Sequence, residues 1–372
     1  MAKATRKKIQ PEPDLIDHPR STQDLIGHTQ AEETLLRGFN SGKLPHAWML
    51  TGPKGIGKAT LAYRFSRFLM NQINEDESNS LFGDSSALPT TLDIGADNPV
   101  SKRIAASAHG DLVTLELSPD EKGKMRTTIP VDEVRKIVNF SHKTSIEGGW
   151  RIVIVDAVEE MNANAANALL KVLEEPPEKT VLLLISHLPG QILQTIHSRC
   201  CHLPLAPLQE DTVISLLKNK APELSDEDAV QLAKLSEGSV GKALDLWKSG
   251  GLDLYREMIF LLSTLPNLDM VKLYAFADKL SSADPLAFKT GMELYLWWLA
   301  RLTKTVGQGA MPDMVIPEEQ ALISALIERH GLAQWLGLWE KCSKNYARAT
   351  RANLDKKQVV VTTLTELQNL TA

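Results

Sequence analysis

From Asp24 to Gly42 the apolar positions, Leu35, Leu36 and Phe39 among them, recur at the three-and-four spacing of an amphipathic helix. The run from Ala47 to Leu50 is short, continuous and apolar, the pattern of a buried strand, and helical spacing resumes from Leu61 to Met70. Three more apolar runs, Leu112 to Leu117, Arg151 to Asp156 and Thr180 to Ser186, read as buried strands, with an amphipathic helix from Val131 to His142 between the first two. Strands alternating with helices predict an α/β domain built on a parallel sheet and ending near Leu205. Beyond it, residues 206–250 hold short helical patterns that close on the Gly238-Ser239 turn and a helix from Lys242 to Trp247. From Leu252 to Ala372 the pattern is helical throughout, and Trp297 and Trp298 read as packing residues.

Two segments lack a period. Residues 1–20 carry Lys3, Arg6, Lys7 and Lys8 followed by prolines and read as a flexible arm with a basic tip. The stretch from Asn71 to Ser107 is polar until Lys102-Arg103-Ile104 and reads as an insertion. The expected division is therefore an arm (1–20), an α/β domain (21–205), a small helical lid (206–250) and an all-α collar (251–372).

Composition narrows the function classes. With 41 Lys and Arg against 46 Asp and Glu, a formal charge of −5, the chain is not one coated in nucleic acid, although a local basic patch is compatible with it. Cys200, Cys201 and Cys342 are the 3 cysteines, too few for a disulfide framework and in keeping with a reducing, cytoplasmic setting. No apolar run approaches the ~20 residues that cross a bilayer, so no membrane partner is expected.

The clearest chemical motif follows the first strand. Gly52-Pro53-Lys54-Gly55-Ile56-Gly57-Lys58-Ala59-Thr60 leads from a strand into a helix, the context in which glycine-rich backbone N–H groups surround phosphate oxygens and a lysine, here Lys58, reaches the outer phosphates. ATP or ADP is the ligand such a loop takes. The position after that lysine ordinarily supplies a hydroxyl to Mg²⁺, and Ala59 has none; Thr60 lies about 100° further round the helix. Asp156, at the C-terminal end of its strand, stands where a metal-side aspartate belongs, but the next residue is Ala157 rather than a glutamate that would orient water. Glu159 and Glu160 read as the start of the following helix, with Asn162 as its cap. The loss of metal ligand and base from independent parts of one reaction points to a retired catalyst. No paired carboxylates suit two-metal nucleotidyl transfer, so the chain is not itself a polymerase.

Asn167-Ala168-Leu169-Leu170-Lys171-Val172-Leu173-Glu174-Glu175-Pro176-Pro177, followed by Ser198-Arg199-Cys200, closely resembles the AAA+ clamp-loader subunits of bacterial DNA polymerase III. Asp156-Ala157-Val158 is similar to the delta-prime type rather than to tau/gamma. Asp24-Leu25-Ile26-Gly27-His28, Leu44-Pro45-His46-Ala47 and His109-Gly110-Asp111-Leu112 extend the resemblance over residues 20 to 250. It implies an AAA+ P-loop domain followed by a helical lid and collar, and a subunit that helps ATP-dependent loading of a sliding clamp onto primed DNA beside tau/gamma and delta neighbours at the replisome. It also implies that Arg199 acts as a trans arginine finger in a neighbour's ATP site. Gly241 stands where active members place a sensor arginine, adjacent Lys242 lacks the bidentate fork, and Ser186 and His187 occupy the sensor position at a strand end. Residues 71–149 contain no cysteine, so the zinc module of many members is not expected, and the tight cluster His197, Cys200, Cys201, His202 lacks zinc spacing.

Two other readings stand beside this one. An autonomous ATPase, a tau/gamma-like motor or helicase loader, is favoured by the intact loop and Asp156 and opposed by Ala59, Ala157 and Gly241. A small-molecule kinase requires an arginine-rich lid that residues 206–250 lack. Lys341, Lys344, Arg348, Arg351, Lys356 and Lys357 form a late basic cluster that suits either a DNA backbone or a solvated helix face.

Overall fold

The computed structural model describes residues 18–79, 88–282, 285–352 and 354–371, so most of the predicted arm, and residues 80–87 of the insertion, lie outside the described residues. The chain divides into two compact units, residues 1–216 with 238–241, and residues 217–237 with 242–372.

In the first unit the elements run α1 (Thr29–Asn40), β1 (Ala47–Thr51), α2 (Lys58–Asn79), α3 (Pro99–Ala105), β2 (Leu112–Glu116), α4 (Val131–Ser141), β3 (Arg151–Asp156), α5 (Ala163–Glu174), β4 (Thr180–Ser186), α6 (Gln194–His197) and β5 (Cys201–Pro204). All strand pairs are parallel, in the order β2-β3-β4-β1-β5. Strand alternation sorts the apolar side chains between the two faces. Trp48, Leu50, Ile152, Ile154, Leu183 and Ile185 meet α1, α2 and α3 on one face, while Ala47, Met49, Val153, Val155, Leu182 and Leu184 meet α4 and α5 on the other. The central β4 is buried at every position, which is why it reads as an unbroken apolar run.

The second unit is helical. The elements α7 (Glu210–Lys220), which begins in the first unit, α8 (Asp226–Ser236), α9 (Val240–Lys248), α10 (Gly251–Leu262), α11 (Met270–Leu280), α12 (Pro285–Gln308), α13 (Glu319–Ile327), α14 (Leu332–Ala352) and α15 (Lys356–Thr371) complete the chain. Here α12 packs on α14 and α11 on α15, around fully buried Trp298 and Trp335. Trp297 is only half-buried and carries the Arg301 guanidinium 4.5 Å above its ring. A buried polar group ties three helices: the Tyr255 hydroxyl donates to Glu319 at 2.5 Å, and Arg301 pairs with the other oxygen of that carboxylate at 3.3 Å.

Three features differ from the pattern-based expectation. The helix after the phosphate loop continues past Met70 to Asn79, through polar residues that show no apolar stripe. Glu159 and Glu160 do not open the next helix but sit in a 3-10 turn, Val158–Glu160, and α5 starts at Ala163, where the Asn162 side chain accepts the N–H of Ala165 as the cap it was expected to be. Edge strand β5 escaped prediction because only Leu203 of its four residues is buried, leaving no apolar run to read. None of the described helices is long and apolar enough to cross a membrane.

Candidate functional site

In a parallel sheet the strand ends with ligand-binding potential all lie on one edge. Register places Thr51 of β1 beside Ser186 of β4, Asp156 of β3 beside Ile185, and Glu116 of β2 beside Asp156. The sheet therefore gathers the phosphate loop, Asp156 and the Ser186-His187 pair, as their sequence positions predict. Gly52, Gly55 and Gly57 all have positive φ, and Gly52 has a second reason to be glycine: a Cβ there would lie 2.4 Å from the Leu205 carbonyl oxygen.

The loop carbonyls are held by the chain itself. Lys58, almost fully buried, donates from Nζ to the carbonyl of Gly52 at 2.6 Å and also to that of Pro53. Ser239 Oγ donates to the Lys54 carbonyl at 2.7 Å, the Gly241 N–H to the Gly55 carbonyl at 3.0 Å, and His28 Nε2 to the Ile56 carbonyl at 2.6 Å. Five consecutive carbonyls, from Gly52 to Ile56, are thus satisfied without a ligand. Sequence reasoning missed the parts played by His28 and Ser239, although both lie in segments singled out for other reasons. Gly241 takes its place by contact: a Cβ there would sit 2.9 Å from Gly55 Cα, so an arginine at this position would collide with the loop.

Electrostatics follow from burial. Lys58 is pushed down to about 8, by burial and by Lys54, against the pull of Asp156 and Glu159. Asp156 is pushed up to about 6, first by burial and then by Glu160, with Lys58 opposing. His187, with Nε2 3.9 Å from Asp156, is pushed down to about 4 by burial and by Lys58. Glu159 is a brace, accepting the N–H groups of His187 at 2.6 Å and Leu188 at 3.2 Å.

The donor set fits phosphate better than it fits metal. Positive Lys58 and a glycine loop opening a long helix suit phosphate oxygens. Mg²⁺ requires oxygen ligands, whereas Ala59 presents a methyl group and Ala157 supplies no base. With no hydroxyl at 59 and no carboxylate at 157, these residues do not fit a hydrolytic magnesium site. Among the described residues, no group of three or more His, Cys, Asp or Glu is placed to hold a metal ion. The His197 and His202 rings lie 3.9 Å apart, and His202 Nε2 donates to the His197 carbonyl.

An Asp156→Asn substitution checks the charge balance. Its carboxyl ionises near 6 in the folded chain instead of near 3.8, so the folded state holds an extra proton between those values and loses stability as pH rises through that range. Removing the charge is expected to stabilise the fold by ~1–2 kcal/mol above pH 6, after allowance for the partial exposure of the group, and by nothing near pH 4. His187 acts in the opposite direction, since protonating the unfolded chain below its usual 6.5 draws stability away from the fold. Between pH 4 and 6 the profile of the variant should accordingly rise more steeply than that of the wild type. Chemical denaturation across that range tests this, and parallel profiles would refute it.

Arg199 lies elsewhere. It precedes β5, whose Cys201 pairs with Trp48 near the start of β1, so it sits on the edge where strands begin, opposite the loop and about 15 Å or more away by strand rise. Its guanidinium pairs with Glu174 at 2.8 Å, donates to the Thr195 carbonyl at 2.9 Å, and remains partly exposed.

Residues 27–209 match the family model described as DNA polymerase III, delta subunit. The DNA polymerase III subunit delta' of Pseudomonas aeruginosa is 38% identical over 198 residues, 52% of this chain and 53% of that protein. The chain is thus similar to delta and delta' subunits of DNA polymerase III over about half its length. The delta' subunit of Escherichia coli is 31% identical over 58% of each chain, and the gamma subunit of Buchnera aphidicola is 28% identical over 61% of this chain and 58% of its own length. The delta-prime-like chain thus spans about half the length of the curated relatives it matches. A gamma subunit-related protein of Thermotoga maritima superposes with a TM-score of 0.34 at 19% identity, covering 91% of this chain and 98% of the other.

Proposed function

We propose that this clamp-loader subunit serves a hetero-oligomeric DNA polymerase III assembly as scaffold and trans-activator, not as a motor. The observation that carries the reading is the missing chemistry at the phosphate edge: no side-chain oxygen at 59 or 157, and Gly241 seated so close on Gly55 that an arginine there would collide with the loop. A nucleotide meeting this loop finds no side-chain hydroxyl at 59 to hold a metal and no carboxylate at 157 to orient water. Arg199, on the far edge of the sheet from its own loop, is positioned to serve a site other than that loop, which supports its role as an arginine finger in a tau/gamma neighbour. Tau/gamma and delta subunits are the proposed partners, with the sliding clamp and primed DNA met through the complex at the cytoplasmic, nucleoid-associated replisome. The functional division we propose remains 21–205 for the P-loop domain, 206–250 for the lid and 251–372 for the collar.

Steady-state hydrolysis and nucleotide titration of the purified chain test the reading. No turnover above background is expected alone, with full turnover once tau/gamma and delta subunits are added. Turnover by the isolated chain at ~1 s⁻¹ or faster, the rate of a working enzyme, would instead support the autonomous motor, which the intact loop and Asp156 favour.

A further inference from the structure

The second unit carries a cationic face that the proposed trans-activator role does not use. Between residues 341 and 354 the chain has four cations, Lys341, Lys344, Arg348 and Arg351, and no carboxylate. The structure separates them. Lys341 is neutralised by Glu366 at 2.6 Å, and Lys357, further on, by Asp278 at 2.5 Å. Lys344 makes only an exposed pair with Glu340 at 3.3 Å, of the kind worth little in water. Arg348 and Arg351 are exposed and have no ion-pair or hydrogen-bond partner among the described residues. The adjacent Asp355 is committed to capping α15, accepting the N–H groups of Lys357 and Gln358.

Positions 344, 348 and 351 follow one another at i, i+4 and i+7 and so share a face of α14. With Ala347 and Ala352 they line a shallow open hollow in which the small alanines leave the helix surface bare between the long cations. The rise from 344 to 351 is ~10 Å, room for two or three successive phosphates at the ~3.4 Å rise of a nucleic-acid strand. Two guanidinium forks are the side chains best suited to phosphate oxygens. Among the described residues lining this hollow there is no aromatic ring to stack a base, and nearby Tyr346 lies against Phe288 and donates toward Glu293 at 3.5 Å. Nor does the hollow carry the buried apolar anchor that marks the centre of a protein–protein interface. The macrodipole favours a cation in the last turn of a helix and so accounts for Arg351, but it does not reach Lys344 two turns earlier.

We infer that this face of α14 is a sequence-independent binding surface for the phosphate backbone of nucleic acid, with Arg348 and Arg351 as its principal contacts and Lys344 at its edge. The inference does not rest on Arg199 or on nucleotide at the phosphate loop.

Fluorescence anisotropy of the full chain tests it, using a labelled ~20-nucleotide single strand and the corresponding duplex from about 50 to about 200 mM salt. Arg348→Ala/Arg351→Ala is expected to weaken binding by about tenfold or more at the lowest salt. It should also reduce the slope of log K against log salt by ~1.4 on the single strand and ~1.8 on the duplex, two phosphate contacts' worth. Arg348→Lys/Arg351→Lys keeps the charges and should keep the slope while losing affinity. Both positions are exposed, so thermal midpoints should not move. Failure of the wild-type chain to bind at the lowest salt overturns the proposal, as does an unchanged slope in the alanine variant. Loss of assembly with other subunits in place of loss of nucleic acid binding assigns the face to an acidic protein. None of these results bears on ATP turnover, so the α14 surface and the trans-activator reading fail independently.

Discussion

Under the proposed trans-activator role, Arg199→Ala is expected to lower ATP turnover at a neighbouring subunit's site by about 10³-fold, the usual contribution of an arginine finger to phosphoryl transfer. Total turnover by the complex should fall by that one site's share. In the isolated chain the guanidinium is tied to Glu174 and to the Thr195 carbonyl in a partly exposed setting, so the same substitution should change stability by no more than about 1 kcal/mol. Arg199→Lys is expected to lose most of the turnover as well, because a point charge does not replace the bidentate fork. The decisive control is Glu174→Ala, which releases Arg199 from its intrachain partner without touching the neighbour. Turnover at or above the wild-type level is expected. If Glu174→Ala instead depresses turnover as strongly as Arg199→Ala, the ion pair matters as a brace for the segment before β5, and the trans-activator reading falls.

The contrast between Arg199 and the phosphate loop shows what a linear pattern carries. Strands with both faces covered are continuous apolar runs, so β1, β3 and β4 were legible; edge strand β2, with only Leu115 buried, was legible because Leu112, Val113 and Leu115 are apolar, and the parallel arrangement followed from the alternation of strands with helices. The glycines and Lys58 were legible because a phosphate loop is local in sequence, and so were the absences at Ala59, Ala157 and Gly241. What could not be read was who satisfies the loop. His28, Ser239 and Gly241 reach its carbonyls across 28, 185 and 186 positions of sequence, and no period or spacing encodes such contacts. The late basic cluster was ambiguous for the same reason: six cations look alike in sequence until distant Glu366 and Asp278 neutralise two of them. Edge strand β5, with only one buried side chain, shows the complementary limit, since pairing partners and not apolar pattern define it.

Replacement of the motif residue Asp111 by alanine is expected to destabilise the chain by ~3–5 kcal/mol. The carboxylate is nearly fully buried just ahead of β2 and accepts three hydrogen bonds: the N–H of Ile146 at 2.9 Å, the N–H of Glu147 at 3.0 Å and the hydroxyl of Ser145 at 3.0 Å. Hydrogen bonds to a charged acceptor contribute about 1.5–3 kcal/mol each, and truncation leaves three donors to be rehydrated in part by water reaching the exposed Ile146. The Asp111 carbonyl also accepts the N–H of Ile152, so the same residue joins the 145–147 turn to the first ladder step of β3. Urea denaturation should show a lower midpoint with an unchanged slope, the signature of lost stability without a change in the surface exposed. Asp111→Asn, which retains one acceptor oxygen but turns an amide N–H toward the donors, should fall between wild type and alanine. A midpoint unmoved by Asp111→Ala would mean that the turn is held by other contacts and that the His109-Gly110-Asp111-Leu112 motif serves something other than the fold.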